Sequence, residues 1–147
     1  VIVIIVSVIL LFFFVFSFSS NREAGESYEA SSFLQAVLQY TSSCESRSEF
    51  LSVGDLIVSC YREERCLNSE EYSCDVLNQT LDSLVSESWL VGAERPVKGY
   101  KLEATAPDKT ILSIRAGNET SRYKGAQQPL PVAEAGIRVY FTAYYAE

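Results

Sequence analysis

Four cysteines are the residues whose type and spacing point most directly to chemistry. They lie within 31 residues of the chain, at Cys44, Cys60, Cys66 and Cys74. An even number of cysteines that follows an N-terminal apolar segment is typical of two disulfides formed in an oxidising compartment. Zinc sites usually contain cysteine pairs about two to four residues apart, whereas the gaps here are 15, 5 and 7 residues. We therefore predict disulfides and no metal site.

The pairing of these cysteines is open, because four cysteines allow three connectivities and spacing does not choose among them. We favour Cys44–Cys60 with Cys66–Cys74. The first bond would join the end of one predicted helix to the next, and the second would close the loop that precedes a third helix.

The sequence offers little for catalysis. It contains no histidine, the commonest general base and metal ligand. It also lacks a G-x-S-x-G elbow and a glycine-rich phosphate loop, the signatures of nucleophilic and nucleotide sites. The acidic pairs Glu63-Glu64 and Glu70-Glu71 lack the Asp-x-Asp-x-Asp-Gly spacing of calcium loops and are read as solvated surface. We predict no enzyme activity and no cofactor, and keep a membrane-tethered enzyme only as a third class.

Two glycosylation sequons occur, at Asn78-Gln79-Thr80 and Asn118-Glu119-Thr120. In a secreted chain each is a candidate glycan site. Asn118 lies in a predicted hairpin turn, where an attached glycan is readily accommodated. Asn78 lies within a predicted helix, so whether it can carry a glycan depends on the exposure of its side chain.

Length and charge limit the class of protein. The chain has 147 residues, 12 basic and 19 acidic, and a formal net charge of -7. An acidic protein is a poor match for nucleic acid, which binds through Lys and Arg contacts to phosphate. The residues beyond the apolar segment, about 125, suit one small domain. We predict no nucleic-acid partner.

Residues Val1–Phe18 form an apolar segment with sixteen apolar residues, two serines and no charge. Eighteen helical residues span about 27 Å, close to the hydrocarbon thickness of a bilayer. We predict a transmembrane or filament-core helix over residues 1–20. Because no Met or basic region precedes Val1, we expect that a leader has been removed or that further residues precede it. Arg22, offset by two nearby glutamates, weakly favours placing residues 21–147 outside the cell.

Helical periodicity follows in the first half of this head. Ala30, Phe33 and Leu34 begin a pattern that predicts an amphipathic helix over residues 22–43, continuous with the apolar segment or bent near Gly25. The cysteine-bearing part, 44–92, contains a second predicted helix over 48–62, started by a capping box at Ser46 and Glu49. A third helix is predicted to start at Ser73 or Cys74.

The period changes to two in the last part, 93–147. Strands are predicted around 100–105, 111–115, 121–126 and 137–145, with turns between them. Tyr140, Tyr144 and Tyr145 are a candidate contact patch, although packing within the sheet is the favoured role. The predicted fold class is α+β. A long N-terminal hydrophobic helix would carry a small head, a lollipop arrangement, and the head would consist of helices followed by an antiparallel β-meander.

This layout resembles that of type IV pilins and pseudopilins, over the whole chain. The most specific element is the Ile/Val/Leu/Phe-rich start without Lys or Arg, and the LPV…IRVYF ending is similar to archaeal pilin-like proteins. The resemblance implies that apolar helices pack into a filament core and that the heads face solvent. Many pilins carry Glu at the fifth mature position, where this chain has Ile5. The implied filament-core residues are Val1, Ile5, Val8, Phe12 and Val15.

Two functions follow from this layout. The first is a structural subunit of a type IV pilus-like filament at the cell surface. Its partners would be the membrane before assembly, then copies of itself in a helical homopolymer, with adhesion to a host or surface ligand. The second is a single-pass, membrane-anchored binding module outside the cell that never polymerises. The predicted continuation of the apolar segment into helix 22–43 favours the filament, because an anchor is more often followed by a linker.

Overall fold

The computed structural model describes residues 27–131 and 136–146. These residues form an α+β domain with three helices, a two-stranded antiparallel hairpin and a four-stranded antiparallel sheet. In chain order the elements are α1 (Tyr28–Gln39), β1 (Thr41–Ser46), β2 (Glu49–Ser52), α2 (Val53–Tyr61), α3 (Ser73–Ser88), β3 (Val97–Thr105), β4 (Thr110–Gly117), β5 (Tyr123–Pro129) and β6 (Arg138–Tyr145).

The predicted arrangement, a hydrophobic helix that carries helices followed by a meander, is wrong, although the described residues do form an α+β domain. Within the described ranges, none of the helices has the length and apolar character needed to traverse a bilayer; Val1–Phe18 lies outside them. Helix α1 is also shorter than the predicted 22–43. Ser27 has an extended backbone (φ -83°, ψ 127°), and its N–H donates to the Gly125 carbonyl at 3.0 Å. The helix therefore begins at Tyr28, where the chain is fastened to β5.

A hairpin replaces the first turn of the second predicted helix, whose remainder is confirmed as α2. Strands β1 and β2 pair at Glu45↔Phe50 around a turn in which Arg47 (φ 51°) and Ser48 (φ 70°) have left-handed backbones. Helix α2 starts only at Val53, because the Ser52 side chain accepts a hydrogen bond from the Asp55 N–H at 3.1 Å. The N-cap that starts the helix is thus Ser52, and the helix does not start at the predicted capping box of Ser46 and Glu49. The head is not a run of helices followed by strands.

The large sheet is not a meander either, because its strand order is β4-β3-β6-β5. The last strand, β6, lies between β3 and β5, and Phe141 pairs with Leu102 on one side and Ala126 on the other. Val139, Phe141 and Ala143 of β6 are fully buried. A strand this apolar is best placed in the interior, where both backbone edges are paired and one face is covered.

The buried residues of all three helices form one cluster with the buried residues of the sheet, which alternate along β3 and β6, so the helices cover a single side of it. Phe33 of α1 and Trp89, which ends α3, enclose Phe141, with ring centroids 4.9 to 5.5 Å apart. Buried apolar residues of α2 and α3, such as Ile57 and Leu77, complete the core. The domain is therefore two layers, and the far face of the sheet is turned to solvent.

Candidate interaction site

Two disulfides stabilise the helical layer, which confirms the prediction of two bonds. The pairing is Cys44–Cys66 and Cys60–Cys74, so the favoured pairing is wrong. The unpredicted hairpin is the reason. It places β1 beside the loop over 62–72, where the Leu67 N–H donates to the Glu45 carbonyl at 2.8 Å. Cys44 therefore meets Cys66, which leaves Cys60 at the end of α2 beside Cys74 at the start of α3.

Tyrosines gather on the solvent face of the sheet. Tyr140 and Tyr144 alternate with the buried residues of β6 and point away from the helices. Tyr123 of β5 lies opposite Tyr144, with ring centroids 6.3 Å apart, and is 51% exposed. Tyr145 instead packs against the core on the helical side. The predicted tyrosine patch is therefore divided between the two faces, and Tyr123 replaces Tyr145.

Cations surround these tyrosines on the same face. Lys101 of β3 pairs with Glu103 at 3.0 Å, and the Ser113 hydroxyl donates to Glu103 at 3.2 Å. Arg115 of β4 and Arg138 of β6 are exposed and form no ion pair within the described residues. We name this surface the tyrosine face; its members are Tyr123, Tyr140, Tyr144, Lys101, Glu103, Arg115 and Arg138.

Local charges and burial set the protonation of this face. Partial burial raises the pKa of the Tyr144 phenol, and the negative charge of Glu119 raises it further. The hydrogen bond to Glu103 raises the pKa of the Lys101 ammonium. At neutral pH the Tyr144 phenol is therefore protonated and can donate and accept hydrogen bonds, and the Lys101 ammonium beside it is charged.

The opposite side of the domain is acidic. Glu70 and Glu71 lie in the loop before α3, and Asp75 and Asp82 lie on the exposed side of that helix. None of the four forms an ion pair with another described residue. We name these four residues the acidic face. Because the helices cover one side of the sheet, the acidic face and the tyrosine face lie on opposite sides of the domain.

The whole described chain follows this division of charge. Residues 27–92 carry three basic and eleven acidic residues, a formal charge of -8. The described residues from 93 onward carry eight basic and four acidic residues, a formal charge of +4. The overall charge therefore conceals an acidic first part and a basic second part of the described chain.

The two sequons differ in their setting. Asn118 is exposed just after β4, outside any strand, and its Thr120 hydroxyl donates to the Tyr145 carbonyl at 2.7 Å. Asn78 is exposed on α3, where its side-chain amide donates to the Cys74 carbonyl at 2.9 Å. The helix thus holds the Asn78 side chain against its own backbone.

The implied filament-core residues lie outside the described ranges: Val1, Ile5, Val8, Phe12 and Val15. Among the described residues, no three His, Cys, Asp or Glu side chains are grouped so as to hold a metal ion.

Residue spacing alone missed most of the tyrosine face. The period-two pattern marked Tyr140 and Tyr144 as residues of one strand face. It gave no sign that Arg115 and Tyr123 would join them, because that depends on strand order. Comparisons with protein-family models, curated proteins and solved structures found no match.

Proposed function

We propose that this chain is a structural subunit of an extracytoplasmic filament similar to a type IV pilus. In this proposal the apolar residues 1–18 hold the subunit in a membrane before assembly and are buried between neighbouring copies afterwards. The division of charge carries the proposal. Two oppositely charged surfaces on opposite sides of one domain suit a contact between copies that repeats from head to tail and does not close on itself.

The disulfides support placement outside the cytoplasm. All four cysteines are paired, and Cys44, Cys60 and Cys66 are at most 4% exposed. Structural disulfides of this kind persist in oxidising environments, including cell surfaces. A subunit that spends its life in the medium gains from such bonds, because they limit the conformational freedom of the unfolded chain.

A second candidate function is a membrane-anchored binding module that does not polymerise. The extended backbone of Ser27 favours it, because α1 begins at Tyr28, next to the hydrogen bond between Ser27 and β5. A helix that begins within the domain is typical of a separate domain joined to an anchor. The resemblance to pilins and the division of charge make the filament our first choice.

Reconstitution of the full chain distinguishes the two. The protein is purified in a non-ionic detergent, the detergent is removed, and the product is imaged by electron microscopy. A filament subunit gives polymers with a constant axial repeat, and reduction of the disulfides disrupts them. Isolated particles in lipid, each containing one copy at every protein concentration, would contradict the filament and support the anchored module.

A further inference from the structure

We infer that the tyrosine face of one copy docks on the acidic face of the next copy. This inference rests on the proposed filament function and names the contact between heads that the assembly would use. Three features of the domain support it: the placement of the two faces, their unpaired charges and the nature of the tyrosines.

The placement of the two faces determines how copies would repeat. One face belongs to the sheet and the other to the loop over 62–72 and to α3, which packs on the opposite side of that sheet. A contact between unlike surfaces is heterologous, so each subunit keeps one free face of each kind. Copies that dock in this way add one after another in one direction, as a filament requires.

The charges of the two faces are complementary, and most of them form no ion pair with another described residue, the exception being Lys101 with Glu103. Arg115 and Arg138 form no ion pair with another described residue, and neither do Glu70 and Glu71. Arginine can bind a carboxylate through two parallel hydrogen bonds, which gives both attraction and a fixed orientation. Docking would pair on each side the charges that the folded subunit leaves in solvent.

The tyrosines supply contact area between these charges. Tyr123 and Tyr144 present neighbouring rings, and Tyr140 extends the row along β6. Tyrosine buries a large, rigid surface at a low cost in conformational entropy and keeps a hydroxyl for hydrogen bonding. A surface of tyrosine and arginine is therefore well suited to the centre of a protein contact.

A second copy fits this face better than an anionic polysaccharide does. A polysaccharide would bind the same cations and stack on the same rings, but it would leave the acidic face without a role. A second copy uses both faces at once, and its own charge of -8 over residues 27–92 opposes the positive sheet side.

Charge reversal on the full chain tests the inference. Self-association of the detergent-solubilised protein is measured by sedimentation velocity at low and high salt. We expect R115E/R138E and E70K/E71K each to weaken association about tenfold or more at low salt, since like charges would then meet. The variant that combines all four changes should regain association, because both signs are exchanged. R47E/R95E is the matched control: it reverses two exposed arginines that lie outside both faces and outside the loop over 62–72, and it should not weaken association.

The outcomes separate this inference from the proposed function. If the native chain associates but R115E/R138E is no weaker than R47E/R95E, or the four-fold variant does not regain association, the docking inference is wrong and the filament proposal survives. If the native chain never associates, both fail. Binding of a sulfated or carboxylated polysaccharide to the tyrosine face of a chain that remains monomeric would likewise overturn the inference.

Discussion

Gly99 of β3 lies directly against the backbone of Asn118. A β-carbon at residue 99 would stand 2.5 Å from the carbonyl oxygen and 2.8 Å from the amide nitrogen of Asn118. The Asn118 N–H in turn donates to the Lys98 carbonyl at 2.9 Å. This close approach fixes the end of β4 beside Gly99, which pairs with Tyr144 of β6. The part of the tyrosine face around Tyr144 therefore depends on the absence of a side chain at residue 99.

We expect G99A to destabilise the protein. The new methyl would meet backbone atoms, which cannot move aside as a side chain can, and overpacking of this kind costs about 1–3 kcal/mol. The control is G92A, whose β-carbon would meet only the flexible side chain of Arg95, at 3.3 Å. Urea unfolding should show a clear loss for G99A and a change within about 0.5 kcal/mol for G92A. Equal losses would show that the approach of Asn118 does not constrain residue 99.

Removal of one disulfide should lower the free energy of unfolding substantially. The bonds close loops with sequence separations of 22 and 14 residues. The chain-entropy model gives about 3 kcal/mol for loops of this length. We expect C44A/C66A and C60A/C74A each to lower the stability by about this amount in urea unfolding, with no free thiol detected in either variant.

The matched control for the pairing is C44A/C60A. It removes one partner of each bond, so Cys66 and Cys74 should appear as two thiols that react with a thiol reagent after unfolding. A bond between Cys66 and Cys74 in the native protein would instead leave this variant without free thiols, and would contradict the connectivity described above.

Stability should fall when the pH rises above about 10. Burial raises the pKa of Tyr100, with a further contribution from Asp82, and burial also raises the pKa values of Tyr144 and Tyr145. Between the ordinary tyrosine pKa of about 10 and the raised values, the unfolded chain binds fewer protons than the folded chain. The stabilisation is therefore complete below pH 10 and is lost as the pH rises through the folded-state values.

Urea unfolding between pH 8 and 11.5 measures this loss. Y100F should reduce the slope above pH 10, because it removes one of the three phenols that keep their protons in the folded state. Y28F, at a position that is 88% exposed, is the control for the loss of a phenol. A slope that Y100F leaves unchanged would contradict the assignment to buried Tyr100.

We expect a glycan at Asn118 and none at Asn78. Expression in a host that glycosylates folded, exported proteins at Asn-x-Thr should modify the accessible segment after β4. Asn78 should stay unmodified, because α3 holds its amide against the Cys74 carbonyl. Intact-mass spectrometry should show one glycan, lost in N118Q and T120A and retained in N78Q and T80A. Loss of the glycan in N78Q would reverse the ranking of the two sites.

Local patterns in the sequence located several elements well. The predicted strand over 137–145 corresponds to β6, and the third helix starts at Ser73 as expected. In both segments the apolar residues recur at a constant interval, every second residue in the strand and every third or fourth in the helix. Because this periodicity continues over many residues, it predicts one type of structure. The residues that face the core in β3, such as Leu102 and Ala104, are also those of the period-two pattern.

The wrong predictions concern segments in which two helix-start signals compete, or features that depend on residues far apart in the sequence. N-caps are possible at Ser46 and at Ser52, and the hairpin turn at Arg47 makes the second one the helix start. The disulfide pairing then followed the hairpin. The tyrosine face required the position of β6 between β3 and β5, and strand order depends on packing that residue spacing does not encode.

Cross-linking between copies tests the docking contact most directly. Equal amounts of the full chain, unlabelled and labelled with nitrogen-15, are mixed under associating conditions and treated with a carbodiimide, which joins lysines to contacting carboxylates. Mass spectrometry then identifies linked peptides that contain one labelled and one unlabelled chain. The account predicts mixed links between Lys101 and Glu70, Glu71 or Asp75. Mixed links that join only residues of the same face, or links confined to single chains, would contradict it.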